Sequence, residues 1–135
     1  MKKIMIVDDN YLSAEGIEKN IDWETLNAEI IHVCYNGTSA IEAMKKEPAD
    51  LIISDIEMPD LDGISMSRQA LEINPMVKII LISAYDKFEY ARRALLLGAL
   101  DYIEKPLDYA YLIQKVKNAF ALMEKEQKNL QLLKQ

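Results

Sequence analysis

The sequence predicts an α/β protein built on one five-stranded parallel sheet with helices packed on both of its faces. Five short apolar runs alternate with segments of helical periodicity along the 135 residues, a length that suits one domain. The runs are almost continuously apolar, which is typical of parallel strands that are covered on both faces. Strands that alternate with helices in this way predict βαβ units joined by right-handed crossovers.

The individual elements follow from the apolar runs and from the segments between them. Strands are predicted at 3–7, 29–34, 50–54, 78–82 and 100–103, and short helices at 38–46 and 64–73. Two further helices carry apolar residues at i, i+3 and i+7, namely Ala14, Ile17 and Ile21 in the first and Phe88, Ala91 and Leu95 in the fourth. Gly98 is expected to cap the fourth helix, and one long helix is expected from Leu107 to the end of the chain.

The composition narrows the class of protein. The chain carries 22 acidic and 16 basic residues, for a formal net charge of −6, and this balance argues against direct nucleic-acid binding. No apolar run approaches the ~20 residues that span a bilayer, and the amino-terminal residues are not expected to form a signal peptide. We therefore expect a cytoplasmic protein that does not bind membranes. The single cysteine, Cys34, lies in an apolar run and is expected to be a buried thiol.

Polar residues stand at the carboxyl ends of four of the five predicted strands. They are Asp8 and Asp9 after strand 1, Asp55 after strand 3, Ser83 after strand 4 and Lys105 after strand 5. The carboxyl ends of parallel strands meet at one edge of an open sheet, and ligands bind there. An acidic chain that gathers further carboxylates at this edge indicates a site for a divalent cation or for chemistry on a carboxylate.

Each of these residues also has a simpler interpretation when it is taken alone. Asp9 or Asn10 could cap the first helix. Ser83 could be another helix cap, and Lys105 could be a solvated surface lysine. Their coincidence at one sheet edge favours a common site. Two nearby acidic residues are instead expected to be turn residues that bind no ligand: Asp60 and Asp62.

The sequence around these positions resembles the receiver domains of two-component response regulators. The matching elements are "VDDN" at 7–10, "SDIEMPDLDG" at 54–63, "ISAY" at 82–85 and "DYIEKP" at 101–106, in the family's order and spacing. The resemblance covers about residues 2–122 and implies a flavodoxin-like, doubly wound sheet with strand order 2-1-3-4-5 and five helices. Residues 21–37, "IDWETLNAEIIHVCYNG", further resemble receivers attached to AraC-type DNA-binding domains.

The resemblance implies a role for each polar residue at the sheet edge. Asp55 would accept a phosphoryl group, and Lys105 would pair first with Asp55 and then with a phosphoryl oxygen. Ser83 would donate its hydroxyl to another phosphoryl oxygen. Mg²⁺ is the implied cofactor, and its implied ligands are Asp8, Asp9, Asp55 and the backbone carbonyl of Glu57.

The resemblance also implies a conformational switch. Ser83 and Tyr102 match the family's switch pair, in which the hydroxyl moves toward the phosphoryl group and the aromatic ring turns inward. Glu57 and Tyr85 occupy positions that tune dephosphorylation in the family. The bond between Lys105 and the following proline is implied to be cis.

The implied function is that of a phosphoacceptor. The chain would take a phosphoryl group from a sensor histidine kinase onto Asp55 and change conformation to control an output. That output would be transcription, exerted through a DNA-binding domain outside this segment. Because its chemistry would be confined to its own phosphorylation and dephosphorylation, the chain is not expected to be an enzyme.

Three alternatives fit parts of the same pattern. A haloacid-dehalogenase-like phosphatase would need Asp-x-Asp after its nucleophile strand, whereas this chain has Asp55-Ile56-Glu57 and no cap insertion. A flavodoxin-like cofactor binder would need a phosphate-binding loop after strand 1, where "DDNYLS" would repel a phosphate. A degenerate receiver that acts only as an interaction module is disfavoured, because all five polar residues at the predicted strand ends match the family: Asp8, Asp9, Asp55, Ser83 and Lys105.

A phosphorylation-dependent homodimer is also predicted. The fourth helix, fifth strand and fifth helix would form its output face, which carries Arg92, Arg93, Asp101 and Lys117 around Tyr102. The domain is expected to occupy residues 1–122, and a helical extension or linker residues 123–135. Coiled-coil spacing joins Tyr109, Leu112, Val116, Ala119, Met123, Glu126, Leu130 and Leu133. The part from about Met123 onward is expected to be free to pair with a second copy.

Overall fold

The computed structural model of the protein describes residues 1–84 and 88–134, apart from the side chains of Phe88 and Ala91. Its strands are β1 (Lys2–Val7), β2 (Ala28–Cys34), β3 (Leu51–Asp55), β4 (Lys78–Ser83) and β5 (Asp101–Glu104). Its helices are α1 (Tyr11–Asn20), α2 (Gly37–Lys46), α3 (Gly63–Ile73), α4 (Phe88–Leu97) and α5 (Tyr109–Leu133).

The strands form one parallel sheet in the order β2-β1-β3-β4-β5, which confirms the predicted fold class and strand order. Successive residues of β1 face opposite sides of the sheet. Ile4 and Ile6 join the core that α1 and α5 cover, whereas Met5 and Val7 join the core beneath α2, α3 and α4. Because both faces of the sheet are buried, the strands carry apolar residues at consecutive positions.

The strand bounds agree with the predicted ones to within one residue at each end. The prediction for α5 was wrong at its start, because the helix begins at Tyr109 and not at Leu107. Asp108 ends the preceding loop by accepting a hydrogen bond from the backbone N–H of Ala110 at 2.9 Å, so it caps the helix. Ile21 follows the last residue of α1 in an extended conformation, although its side chain is buried as its spacing predicted.

The end of α4 confirms the predicted role of Gly98. This glycine has a φ of 94°, and its N–H donates to the carbonyl oxygen of Leu95 at 3.1 Å. The left-handed conformation turns the chain out of the helix and toward β5 at little steric cost only because glycine lacks a Cβ. The apolar spacing predicted for this helix partly involves the side chains of Phe88 and Ala91, which lie outside the described set.

The last helix continues past the core as one uninterrupted element. Met123 still packs against the core, and Glu126 forms an ion pair with Lys78 at 2.8 Å. The prediction that the helix is free from Met123 onward therefore needs correction, since the domain holds it through Glu126. The leucines beyond this point are exposed: Leu130, Leu132 and Leu133. Within the described residues, neither α5 nor any other helix is long and apolar enough to cross a membrane.

Gly63 begins α3 where this helix passes close to the end of β3. A methyl group at Gly63 would overlap the backbone carbonyl oxygen of Asp55 and the Cα of Ile56. Backbone atoms cannot move aside without disturbing the strand, so we expect Gly63→Ala to lower the free energy of unfolding by about 1–3 kcal/mol in urea denaturation. The control is Gly16→Ala in α1, whose added methyl group would meet side-chain atoms, chiefly the hydroxyl end of Tyr109, and no backbone atom among its nearest neighbours. Equal losses in the two variants would contradict this explanation.

Candidate functional site

The sheet brings the predicted site residues to one edge. Asp8 follows β1, Asp55 is the last residue of β3, Ser83 is the last residue of β4, and Lys105 follows β5. These four strands are neighbours in the sheet, and β1 lies beside β3 at the point where the strand order reverses. β2, which lacks a comparable polar residue, lies at the far edge.

Three carboxylates converge at this edge. Asp8, Asp9 and Asp55 each offer an oxygen atom, and these atoms all lie within 4.8 Å of one another. Asp8 is 2% exposed and Asp55 is 8% exposed, whereas Asp9 faces solvent. Burial raises the pKa of Asp8 and of Asp55 above the ordinary value of 3.8, and the nearby Lys105 opposes this effect without cancelling it. Closely spaced carboxylates in a buried setting form a donor set that suits a hard divalent cation.

Lys105 supplies a positive charge to this cluster. Its Nζ lies 3.4 Å from Oδ2 of Asp55 and 3.5 Å from Oδ2 of Asp8, so it contacts both buried carboxylates. Burial disfavours the charged ammonium, but the two carboxylates outweigh burial and raise the pKa of Lys105. Lys105 is thus held at the site and is not a freely solvated surface lysine. The Lys105–Pro106 peptide bond is cis, as the family resemblance implied.

Ser83 is fully buried, and its hydroxyl forms a hydrogen bond with Glu57 that was not predicted from the sequence. The Ser83 Oγ donates to Oε1 of Glu57 at 2.9 Å. The backbone N–H of Glu57 points toward Oδ1 of Asp55 at 3.4 Å, so Glu57 contacts both of its neighbours at the site. The signal for this contact was present in the strand order, because Glu57 follows β3 by two residues and Ser83 ends the adjacent β4.

The other acidic residues of the loop after β3 have structural roles. The Asp62 side chain accepts from the backbone N–H of Ser65 at 2.7 Å and caps α3. Asp60 accepts from the backbone N–H groups of Gly37 and Thr38, each at 3.3 Å, and so ties the loop to the start of α2. The hydrogen bond with Thr38 lowers the pKa of Asp60. Neither residue belongs to the cluster of Asp8, Asp9 and Asp55, and both make the turn or cap contacts expected of them.

The residue after Asp9 caps the first helix. The Asn10 side chain accepts from the backbone N–H groups of Leu12 at 2.9 Å and Ser13 at 3.2 Å. Of the two candidate caps, Asn10 therefore fills the role, and Asp9 remains with the carboxylate cluster.

Apart from Ser83 on β4, the predicted switch and output residues lie on α4, β5 and α5. Tyr102 is half-buried on β5 and packs against the core beneath α4. Tyr85, the other residue expected to tune dephosphorylation, lies outside the described residues. Asp101 pairs with Lys115 of α5 at 3.0 Å, so its carboxylate already has a partner within the chain. Arg93 reaches a cleft of about 470 Å³ at the mouth of the site, which Glu57 also lines.

Comparison with known proteins agrees with this architecture. The sequence profile of the response regulator receiver domain matches residues 4–117. Among curated proteins, an uncharacterized transcriptional regulatory protein, YesN of Bacillus subtilis, is 29% identical over 126 residues, covering 93% of this chain and 34% of YesN. The chain thus spans about a third of the length of this relative.

Solved structures lead to the same family. The receiver domain of AraT, a response regulator from Geobacillus stearothermophilus, is 34% identical with a TM-score of 0.87, covering 93% of this chain and 98% of the AraT chain. A two-component transcriptional regulator AraC from Clostridium phytofermentans is 30% identical with a TM-score of 0.83, covering 96% of this chain and 99% of that chain. The profile match, these neighbours and the arrangement of the strand ends lead to one conclusion: the chain belongs to the response regulator receiver domain family.

Proposed function

We propose that the chain is the phosphoacceptor of a two-component system and that Asp55 receives the phosphoryl group. The observation that carries this proposal is the position of the Asp55 carboxylate, which ends the central strand β3 between two further carboxylates and the ammonium of Lys105. A carboxylate can attack phosphorus and form an acyl phosphate. The surrounding groups must then position the phosphoryl group and offset its charge, and this accounts for most of the catalysis of such transfers.

Mg²⁺ fits the donor set at this edge of the sheet. Asp8, Asp9 and Asp55 would hold it through their carboxylates, together with the backbone carbonyl of Glu57. The ion would supply positive charge that offsets the carboxylates and the incoming phosphoryl oxygens. Lys105 contacts Asp55 and Asp8 at their Oδ2 atoms. Once Asp55 is phosphorylated, the Lys105 ammonium would pair with a phosphoryl oxygen. The Ser83 hydroxyl would be the second donor to the phosphoryl group.

The partners follow from the family. We propose that a sensor histidine kinase is the phosphodonor and that the phosphoryl transfer takes place in the cytoplasm. The chain's only chemistry would be its own phosphorylation and dephosphorylation. The similarity to transcriptional regulators, with this chain covering 34% of YesN, supports an output on transcription through a DNA-binding domain of AraC type. The acidic balance of this segment leaves DNA contacts to that further domain.

We expect Asp55→Asn to abolish labelling of the chain by acetyl phosphate with Mg²⁺, because an amide cannot form the acyl phosphate. Intact-mass spectrometry would follow the added phosphoryl group. The matched control is Asp62→Asn in the same loop, which removes one carboxylate and keeps a good helix cap, so it should be labelled as the wild type is. Full labelling of Asp55→Asn would contradict the proposal. Sustained turnover of a small phosphate ester by the wild type would instead indicate a phosphatase.

We expect Asp8→Asn to raise the urea midpoint of the Mg²⁺-free protein at pH 7. The folded pKa of Asp8 lies above the ordinary 3.8, so its contribution to stability is fully present below that value and is lost as the pH rises through the folded pKa. The advantage of Asp8→Asn should therefore shrink as the pH falls from 7 toward 4. Mg²⁺ should stabilise the wild type more than this variant, because ligand binding stabilises only the state that binds.

The control for this pH dependence is Asp60→Asn, which should show the opposite sign. The folded pKa of Asp60 is lowered, so its stabilising effect is present above 3.8 and is lost as the pH falls through the folded value. Asp60→Asn should accordingly lower the midpoint at pH 7. A lower midpoint for Asp8→Asn at pH 7 would mean that Asp8 serves mainly as a structural group.

We also propose that phosphorylation favours a homodimer in which the exposed end of α5 contributes a weak contact. Leu130 and Leu133 follow the predicted coiled-coil spacing and are exposed, but fewer than two heptads lie beyond Glu126. Such a short pair of helices is marginal in water, so it would need the receiver faces to meet as well.

Sedimentation of the full chain and of a version that ends at Gln127 tests this dimer. The shorter version keeps the ion pair between Lys78 and Glu126 and loses the exposed leucines. With beryllofluoride and Mg²⁺, we expect the full chain to associate more strongly than the shorter version, and without them we expect both to be largely monomeric. Equal association of the two versions would remove the helix end from the interface. A tight dimer without beryllofluoride would contradict the coupling to phosphorylation.

A further inference from the structure

The contact between Ser83 and Glu57 engages a hydroxyl that the proposed function also needs. Ser83 is fully buried at the end of β4, and its Oγ donates to Oε1 of Glu57 at 2.9 Å. A serine hydroxyl has one proton, so it can donate to one acceptor at a time. While the proton is directed to Glu57, it is not available to an oxygen on Asp55.

We propose that the Glu57 carboxylate is a positioning group that holds the Ser83 hydroxyl in the unphosphorylated chain and competes with the phosphoryl group for it. This proposal rests on the proposed function of Asp55. Hydrogen bonds to a charged acceptor are roughly twice as strong as bonds between neutral groups, so Glu57 is an effective competitor. The phosphorylated state must therefore break one charge-assisted bond before it gains another.

The geometry of Glu57 suits such a competitor. Its backbone is anchored next to Asp55, toward which its N–H points at 3.4 Å, and Asp60 ties the same loop to α2 through Gly37 and Thr38. The side chain of Glu57 is only partly buried and borders the cleft at the site mouth. It can leave Ser83 for solvent without moving the backbone. Breaking the contact therefore requires a side-chain rotation at Glu57.

The hydrogen bond between Ser83 and Glu57 would therefore weaken the binding of a phosphoryl group at Asp55, because this bond must break first. Removal of a competing bond of this kind corresponds to about a tenfold change in an equilibrium constant, since each 1.4 kcal/mol is a factor of ten. Glu57→Ala should therefore bind beryllofluoride with Mg²⁺ about tenfold more tightly than the wild type. Glu57→Gln keeps an acceptor oxygen but loses the charge, so it should show a smaller gain. The backbone carbonyl is present in all three proteins.

The loss of a negative charge near an anion would also tighten binding, and Ser83→Ala separates this effect from the hydrogen bond. In the Ser83→Ala background no hydroxyl is left to hold, so Glu57→Ala and Glu57→Gln should become equivalent. Calorimetric titration of the six proteins with beryllofluoride in excess Mg²⁺ gives the affinities. A second measurement needs neither ligand: in urea unfolding of the metal-free proteins, Glu57→Ala should lower the midpoint more when Ser83 is present than when it is alanine.

The outcomes are distinct. A graded gain from Gln to Ala that disappears in the Ser83→Ala background, with coupled urea midpoints, supports the proposal. Equal gains for Ala and Gln in both backgrounds mean that charge alone acts and overturn it, as do additive urea midpoints. If the wild type and every variant fail to bind beryllofluoride, the proposed function of Asp55 fails and the competition at Ser83 fails with it.

Discussion

Two buried carboxylates that lie close together at the carboxyl ends of two adjacent strands are the constraint on which the rest of the structure depends. Asp8 follows β1 and Asp55 ends the adjacent β3, and burial raises the pKa of both carboxyl groups. The ammonium of Lys105 contacts both groups. The packing of both sheet faces holds these carboxylates close together although burial disfavours their charged forms. The divalent cation proposed for this site would offset that cost.

The loops around these carboxylates are braced by hydrogen bonds that reach other elements. Asp60 joins the loop after β3 to α2, and Asp62 fixes the start of α3 in the same loop. Gly63 allows the helix to approach the carbonyl oxygen of Asp55. The backbone around Asp55 is thereby fixed, whereas the side chain of Glu57 is only partly buried. A fixed backbone beside a side chain that can change partners would suit the reversible switch proposed above.

Much of this arrangement could be predicted from the sequence, because the relevant signals are local. The strands were identifiable from continuous apolar runs, and the polar residues at their ends were expected to meet because parallel strands share one carboxyl edge. The strand order came from the family resemblance. Long-range side-chain contacts were not predictable, since they depend on rotamers and loop paths. Examples are Asp60 with the start of α2 and Lys78 with Glu126.

The ion pair between Lys78 and Glu126 determines where the chain can be cut. Lys78 begins β4 at the edge of the sheet opposite the carboxylates, and its side chain is only 14% exposed. A domain boundary at residue 122, as predicted from the sequence, would remove Glu126 and leave this largely buried ammonium without its partner. The loss in folding free energy should exceed the roughly 1 kcal/mol of a solvent-exposed pair. It would also uncover the core beside Met123. An excised domain for crystallisation or NMR should therefore retain the helix through Glu126, although that turn belongs by sequence to the linker.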